Sequence, residues 1–436
     1  MNFLYKEKLW KSAKKIILGG NSLLSKRPEM FLPEYWPTYY SRAKGVNVWD
    51  LNNKKYTDMV FAVGTNTLGY CNKEVDSAVK KAINNGNMCS LNSPHEVELA
   101  NKLVKLHPWS SMVKFARSGG EANALAIRIA RAASKKDNIA VCGYHGWHDW
   151  YLSINLKNKD ALSEHLLPGL EPAGVPKYLK NTVHAFTQNN FDKLEFLCKK
   201  FDIGTVKLEI ARDHLPNIVF LKKLRKFCNK KNIILIFDEC TSGFRRNLGG
   251  IHMTTGVYPD LAMLGKAIGN GYAITAVIGR KKFMKKAEKS FISSTMWTES
   301  VGFVAANATI NYMKKKQSYK ILIKNGKYIN KKWEQLASKY NLKINISGTD
   351  SITSFSFPGP YNLILKTFIT QEMLRYNYLA SNLIYISICH NKKVIDKYIF
   401  YLDKVFKKIK IFLDNKIKKN ILKGSVCHAT FKRLTD

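Results

Sequence analysis

Two residues near the middle of the chain have the types and the spacing for chemistry. Asp238 stands in Phe237-Asp238-Glu239-Cys240, directly after the apolar run Ile233-Ile234-Leu235-Ile236, and Lys266 follows 28 residues later in Leu264-Gly265-Lys266. A carboxylate at the carboxyl end of a core strand is costly to leave dry. It should meet a cation, a metal or a cofactor group, unless it only caps a helix or closes a structural ion pair. Many lysines of the chain sit in lysine runs, whereas Lys266 lies between Gly265 and Ala267-Ile268-Gly269. Small neighbours let a bulky ligand approach, and burial there lowers an amine's pKa and makes it nucleophilic.

Two further segments supply what those residues lack. Arg117-Ser118-Gly119-Gly120-Glu121 opens a helical run. Ser118, Gly119 and Gly120 leave backbone N–H groups at the positive end of a helix dipole, which suits a phosphate, although serine and glycine also serve as ordinary caps. Gly143-Tyr144-His145-Gly146-Trp147-His148 follows an apolar strand and brings aromatics able to stack on a flat ring or to seal the sheet edge. A lysine amine, a carboxylate facing a pyridinium nitrogen, a phosphate cradle and an aromatic lid together match the needs of pyridoxal 5'-phosphate (PLP), whose protonated ring acts as an electron sink.

The elements that must position these residues are legible around them. Short apolar runs at Ile139–Cys142, Val206–Ile210 and Ile233–Phe237 alternate with helical patterns such as Asn217–Lys230. That order predicts a mostly parallel sheet covered by helices, with ligands beyond the carboxyl ends of its strands. Helices are also expected over Glu74–Ile83, Pro94–His107 and Phe303–Lys315, and a small hairpin where Asn52-Asn53 separates two apolar runs. The opening stretch to Lys44, with Gly19-Gly20 and three prolines, suits an ordered loop more than a long helix. Past Gly302, strands at Ser354–Phe357 and Leu383–Ser387 mix with helices at Thr367–Arg375 and Val394–Asn415, the pattern of a smaller α/β domain. The expected division is an N-terminal segment, 1–55, contributing to the small domain and the substrate pocket, a large domain, 56–302, and a C-terminal small α/β domain, 303–436.

The motifs at 42–59 (RAKGVNVWDLNNKKYTDM), 116–131 (ARSGGEANALAIRIAR), 143–149 (GYHGWHD), 235–245 (LIFDECTSGFR), 259–272 (PDLAMLGKAIGNGY) and 293–299 (SSTMWTE) resemble the class III aminotransferases of PLP fold type I. That group includes glutamate-1-semialdehyde 2,1-aminomutase. The resemblance runs from Gly19 to about Asn311 and is fainter beyond, at 370–382. It implies that Lys266 forms the internal aldimine and shuttles the α proton, that Asp238 pairs with the ring nitrogen, and that Cys240 and Tyr144 lie on opposite ring faces. His145 would support the ring environment, and Glu209 would lie close to the cofactor. Ser118, Gly119 and Gly120 would hold the phosphate from one subunit. Thr295, with Thr298 as the alternative, would reach it from the other, giving a homodimer with composite sites. Gly120 stands where the family usually has threonine, and Ile210 where it commonly has proline. Ser22, Arg27 and Trp297 are the residues placed for substrate.

Composition narrows the classes. The formal charge is +39, from 71 Lys and Arg against 32 Asp and Glu. Lysine clusters such as 314–316, 407–408 with 410, and 416 with 418–419 read as solvated helix faces, and no nucleic-acid-reading module accompanies them. No run of about 20 apolar residues occurs that would span a bilayer, so the expectation is a cytoplasmic protein. The eight cysteines lack the spacing of a zinc site or a disulfide framework. The leading functional expectation is an aminotransferase that carries an amino group from donor to carbonyl acceptor through aldimine and pyridoxamine intermediates. An intramolecular aminomutase of the glutamate-1-semialdehyde type is the alternative, and a non-catalytic protein on the same scaffold is the remaining class.

Overall fold

The computed structural model describes residues 3–165, 168–188, 190–414 and 421–430. The chain forms two compact units, one of Lys73–Lys320 and one of Met1–Asn72 with Ile321–Asp436.

The larger unit is built on a seven-stranded sheet. Its strands are β1 (Met112–Ala116), β2 (Asn138–Cys142), β3 (Val183–Ala185), β4 (Ile203–Glu209), β5 (Ile234–Glu239), β6 (Leu261–Leu264) and β7 (Thr275–Gly279), in the spatial order β1-β7-β6-β5-β4-β2-β3. The pairs β3–β2, β2–β4, β4–β5 and β5–β6 are parallel, while β7 runs antiparallel to both β6 and β1. β4 and β5 are buried along their whole length, which explains the continuous apolar run of β5; β4 is buried equally although it carries Lys207 at its middle. The helix Gly119–Ser134 covers one face, where Ala122, Leu125, Ala126 and Ile129 pack with Val141, Ile236, Met263 and Val277. Asn217 caps the helix Ile218–Lys230 through its side chain, which accepts a bond from Phe220 N. The expected α/β class and mostly parallel sheet are therefore observed, with one antiparallel strand near its edge.

The smaller unit has its own core. Leu322, Ile329, Trp333 and Leu336 from the helix Ser318–Lys339 pack with Phe355, Ile384, Tyr398, Leu402 and Phe406. The hairpin at Asn52-Asn53 is present, with Asn53 at φ +58° between the strands Asn47–Asp50 and Lys55–Asp58. The opening stretch differs from expectation, because Phe3–Ile16 is a helix of 14 residues. The glycine pair and the three prolines all lie beyond residue 18, so they end this helix and do not prevent it. The long helix Lys392–Asp414 carries the lysines at 407, 408 and 410; those at 416, 418 and 419, and Asn415, lie outside the described residues. Among the described residues no helix is long and apolar enough to cross a membrane.

Replacing Ile236, wholly buried in the strand that ends in Asp238, by alanine leaves a cavity in a packed sheet. The expected loss is about 2–5 kcal/mol of unfolding free energy, read from urea denaturation of the two proteins.

Candidate active site at the carboxyl edge of the sheet

β5 delivers the carboxylate pair, and strand alternation sends its two members to opposite faces. Glu239 turns to a fully buried cluster, where it accepts bonds from the amides of Ile251 and His252 and from His252 Nδ1. Trp109 Nε1 donates to the other nitrogen of His252 at 2.7 Å, which completes a satisfied structural network. Asp238 faces the opposite side. Its Oδ1 accepts from Cys240 N at 3.1 Å, and its Oδ2 accepts from His145 Nδ1 at 2.9 Å and lies 3.3 Å from Lys207 Nζ. Burial alone would raise this carboxyl's pKa. The Lys207 ammonium and the His145 donor outweigh burial and hold it well below the usual range. The Cys142 carbonyl, 3.2 Å from His145 Nε2, would accept a second imidazole proton. Burial and the neighbouring Lys207 cation nevertheless push His145 down to about 4, which favours the neutral ring; a single proton on Nδ1 would serve the ionised Asp238.

β6 ends in Gly265-Lys266. Lys266 adopts φ +42°, a conformation that lysine rarely takes, and such strain concentrates where a side chain must be aimed. Its Nζ donates to Thr241 Oγ1 at 2.9 Å. Burial lowers the amine's pKa; Glu209 opposes the shift, while the cations Arg245 and Arg212 add to it. Cys240 occupies the space beside this lysine, since a Cβ built on Gly265 would come within 3.2 Å of its sulfur. Burial, with Asp238 adding to it, keeps the Cys240 thiol protonated.

β1 leads into the helix Gly119–Ser134 through a capping box. Ser118 Oγ accepts from Glu121 N, and the Glu121 carboxylate accepts from Ser118 N at 2.7 Å and Arg117 N at 3.0 Å. Those bonds leave the amides of Gly119 and Gly120 as the donors of the first turn. A Cβ at Gly120 would strike the His148 ring at 2.6 Å, so the glycine lets that ring lie against the helix start. His148 Nδ1 is buried there without a hydrogen-bond partner. The same helix start holds the segment after β7: Trp297 Nε1 donates to Glu121 Oε1 at 3.0 Å, and Arg117 donates to the carbonyls of Met296, Trp297 and Glu299. Thr295 is exposed on this segment, and Thr298 Oγ1 donates to its carbonyl.

β2 and β4 complete the edge. Tyr144 N donates to Glu209 Oε2 at 3.3 Å, and the Tyr144 ring meets Tyr151 edge-on, with the Arg212 guanidinium 5.8 Å from its centre. Burial raises the Glu209 pKa, against the pull of Arg212. One unit thus gathers Ser118, Gly119, Gly120, Tyr144, His145, Glu209, Asp238, Cys240 and Lys266, with Thr295 and Trp297 beside the helix start. Ser22 and Arg27 belong to the other unit, where Ser22 is exposed and the buried Arg27 guanidinium packs over Gly19.

A profile described as aminotransferase class-III matches residues 33–375. The chain belongs to the class III aminotransferase family. It is 32% identical to the 3-aminobutyryl-CoA aminotransferase of Cloacimonas acidaminovorans over 85% of this chain and 88% of that protein. It is also 30% identical to the glutamate-1-semialdehyde 2,1-aminomutase of Wigglesworthia glossinidia brevipalpis, over 92% of this chain and 98% of the relative. In fold it matches the PLP internal aldimine form of the FumI protein of Sphingopyxis sp. MTA144, with a TM-score of 0.84 at 22% identity over 94% of this chain and 97% of that one. An omega-transaminase from Sphaerobacter thermophilus follows at 0.81 and 20% identity, over 92% and 97%.

Four polar residues at this class III site escaped the sequence reading. Thr241 and Arg212 sit one to three residues beyond strand ends already identified, so counting onward from Cys240 and Glu209 would have found them. His148 stands in a motif read for its tyrosine. Lys207 gave no signal, because a lysine inside an apolar run reads as an edge or exposed position.

Four buried histidines of this class III chain, His107, His145, His184 and His390, are pushed down to about 4, chiefly by burial. Their folded pKa lies below the unfolded value, so the stability gained by holding them neutral is complete above about pH 6.5 and is lost as pH falls toward 4. The unfolding free energy should drop by about 1.4 kcal/mol per pH unit for each such histidine over that window. His145→Gln, which keeps a donor for Asp238, should flatten the slope measured by urea titration of the protein at several pH values; an unchanged slope would contradict the assignment of His145.

Proposed function

We propose that this class III protein is a PLP-dependent aminotransferase that moves an amino group between two different molecules, with its chemistry centred on Lys266 and Asp238. The observation that carries this reading is the pairing, on one sheet edge, of a half-buried lysine whose pKa is lowered with a carboxylate held ionised. The residues present fit the cofactor. Asp238 is held ionised among donors from Cys240, His145 and Lys207, which suits a carboxylate that would face a ring N–H donor. The free amides of Gly119 and Gly120 and the unpartnered His148 Nδ1 suit a phosphate at a helix start.

When bound, PLP supplies an electron sink for the bonds at a substrate's α carbon. The chain supplies the rest. Lys266 would hold the cofactor through Nζ and, when released by a substrate amine, carry the α proton on the same atom. Burial lowers that amine's pKa, which favours its acting as a proton acceptor. Asp238, ionised and fixed by His145, would face the ring nitrogen. Tyr144 and Cys240 would lie against the two ring faces, and Glu209 would fix Tyr144 through the backbone bond already described. Thr295, exposed and tied to the start of the phosphate-holding helix, is the residue suited to contact a partner's phosphate, with Thr298 as the alternative. Exposed Phe291 and Met296 beside it support a homodimer with composite sites.

The cations Arg212 and Arg245, which help to depress Lys266, favour an anionic amino donor such as an amino acid. Arg27 and Ser22 are proposed as substrate contacts and Trp297 as a wall of the pocket. The protein is proposed to act in the cytoplasm. The aminomutase reading retains one specific support, the long match to aminomutases noted above. The two readings separate when PLP-loaded protein is given 15N-glutamate with individual keto acids or keto sugars and, separately, glutamate-1-semialdehyde alone. Transfer of label into an added acceptor is expected. Rearrangement of glutamate-1-semialdehyde without any external donor, and no labelled amine elsewhere, would replace the aminotransferase by the mutase.

A further inference from the structure

Lys207 is the buried ionisable group that the chemistry above does not use. It lies in the middle of β4, wholly inaccessible, with Val141 and Ile236 as its register partners on the two neighbouring strands, both fully buried and apolar. Its ammonium reaches two neighbours, Met263 Sδ at 2.9 Å and Asp238 Oδ2 at 3.3 Å. A thioether is a weak acceptor, so Asp238 is the only anion within ion-pairing distance among the described residues. The other titratable groups around the pair are His145 from the loop after β2, Glu209 on β4, Cys240 after β5, Tyr144, and Lys266 after β6. Burial lowers the pKa of Lys207 and Asp238 opposes that shift; with His145 pushed down and the Cys240 thiol pushed up by burial, the 3.3 Å contact makes Lys207 the direct positive partner of Asp238. An apolar residue would fill that place in the strand without charge, as its register neighbours do.

We propose that Lys207 is a positioning residue that holds Asp238 from behind and takes up part of its charge, so that the cofactor's ring nitrogen keeps its proton less tightly than Asp238 alone would allow. The proposal rests on the reading of Asp238 as the partner of that nitrogen. The carboxylate then serves two cations at once, one built into the sheet and one brought by the cofactor. Each weakens the other's hold, and the ring becomes a more moderate electron sink. A second consequence follows without cofactor: loss of the Asp238 charge removes the one carboxylate within ion-pairing distance of the buried Lys207 ammonium among the described residues, which is costly in that apolar layer.

The test uses the holoenzyme reconstituted with PLP carrying 15N in its ring, together with the apoproteins. The ring-nitrogen chemical shift is followed against pH in wild type, Lys207→Met and Asp238→Asn. In K207M the midpoint for loss of the ring proton should move upward by about one pH unit or more, and in D238N it should move downward. In the apoproteins, D238N should melt lower than wild type, and the double variant K207M/D238N should recover most of that loss. If D238N leaves the ring signal unchanged, the reading of Asp238 fails and takes the proposal with it. If D238N moves the signal and K207M does not, the proposal alone is overturned. If K207M does not fold, an apoprotein double variant no more stable than D238N overturns the pairing on which it stands.

Discussion

The site depends on keeping one carboxylate charged where water cannot reach it. Desolvation opposes that state at Asp238, and the opposition is met by three donors on three different elements: Cys240 N at the end of β5, His145 after β2 and Lys207 within β4. Because each donor sits on its own strand or strand end, the charge is secure only if β2, β4 and β5 stay in register. The parallel pairing of Glu209 with Asp238 and of Cys142 with Leu208 fixes that register. The electrostatics of the site are therefore a property of the sheet, which its apolar core stabilises.

The same constraint divides labour between the two acidic residues of β5. Alternation along the strand gives Glu239 to a closed network with His252 and leaves Asp238 facing the edge where Lys266 emerges. A one-residue slip would exchange these roles and take Glu239 away from its four donors, Ser242 Oγ, Ile251 N, His252 N and His252 Nδ1. The strained backbone at Lys266 belongs to the same geometry, since it aims the side chain of a short strand end toward the hydroxyl of Thr241.

The sheet is legible in the sequence because strands buried on both faces are written largely as apolar runs, and the candidate site is legible because charged residues stand at the carboxyl ends of those runs. Where that contrast is weak, reading failed. The helix Ser318–Lys339 has apolar Leu322, Ile329, Trp333 and Leu336 at helical intervals, but its many lysines mask the pattern. The helix Phe3–Ile16 was obscured by the glycine and proline signals that follow it. Lys207 could not be found without tertiary structure, because its meaning lies in a neighbour 31 positions away in sequence and on the adjacent strand. His148 carries no signal of its own in the sequence, because its contact is with Gly120, a residue defined by what it lacks.

The central claim is that this class III chain carries its cofactor on Lys266, among 71 lysines and arginines. The direct measurement is borohydride reduction of the PLP-loaded protein followed by peptide mapping of the modified lysine. The account predicts one phosphopyridoxyl group per chain, on Lys266. Modification at Lys207, or spread over surface lysines with Lys266 untouched, would contradict it.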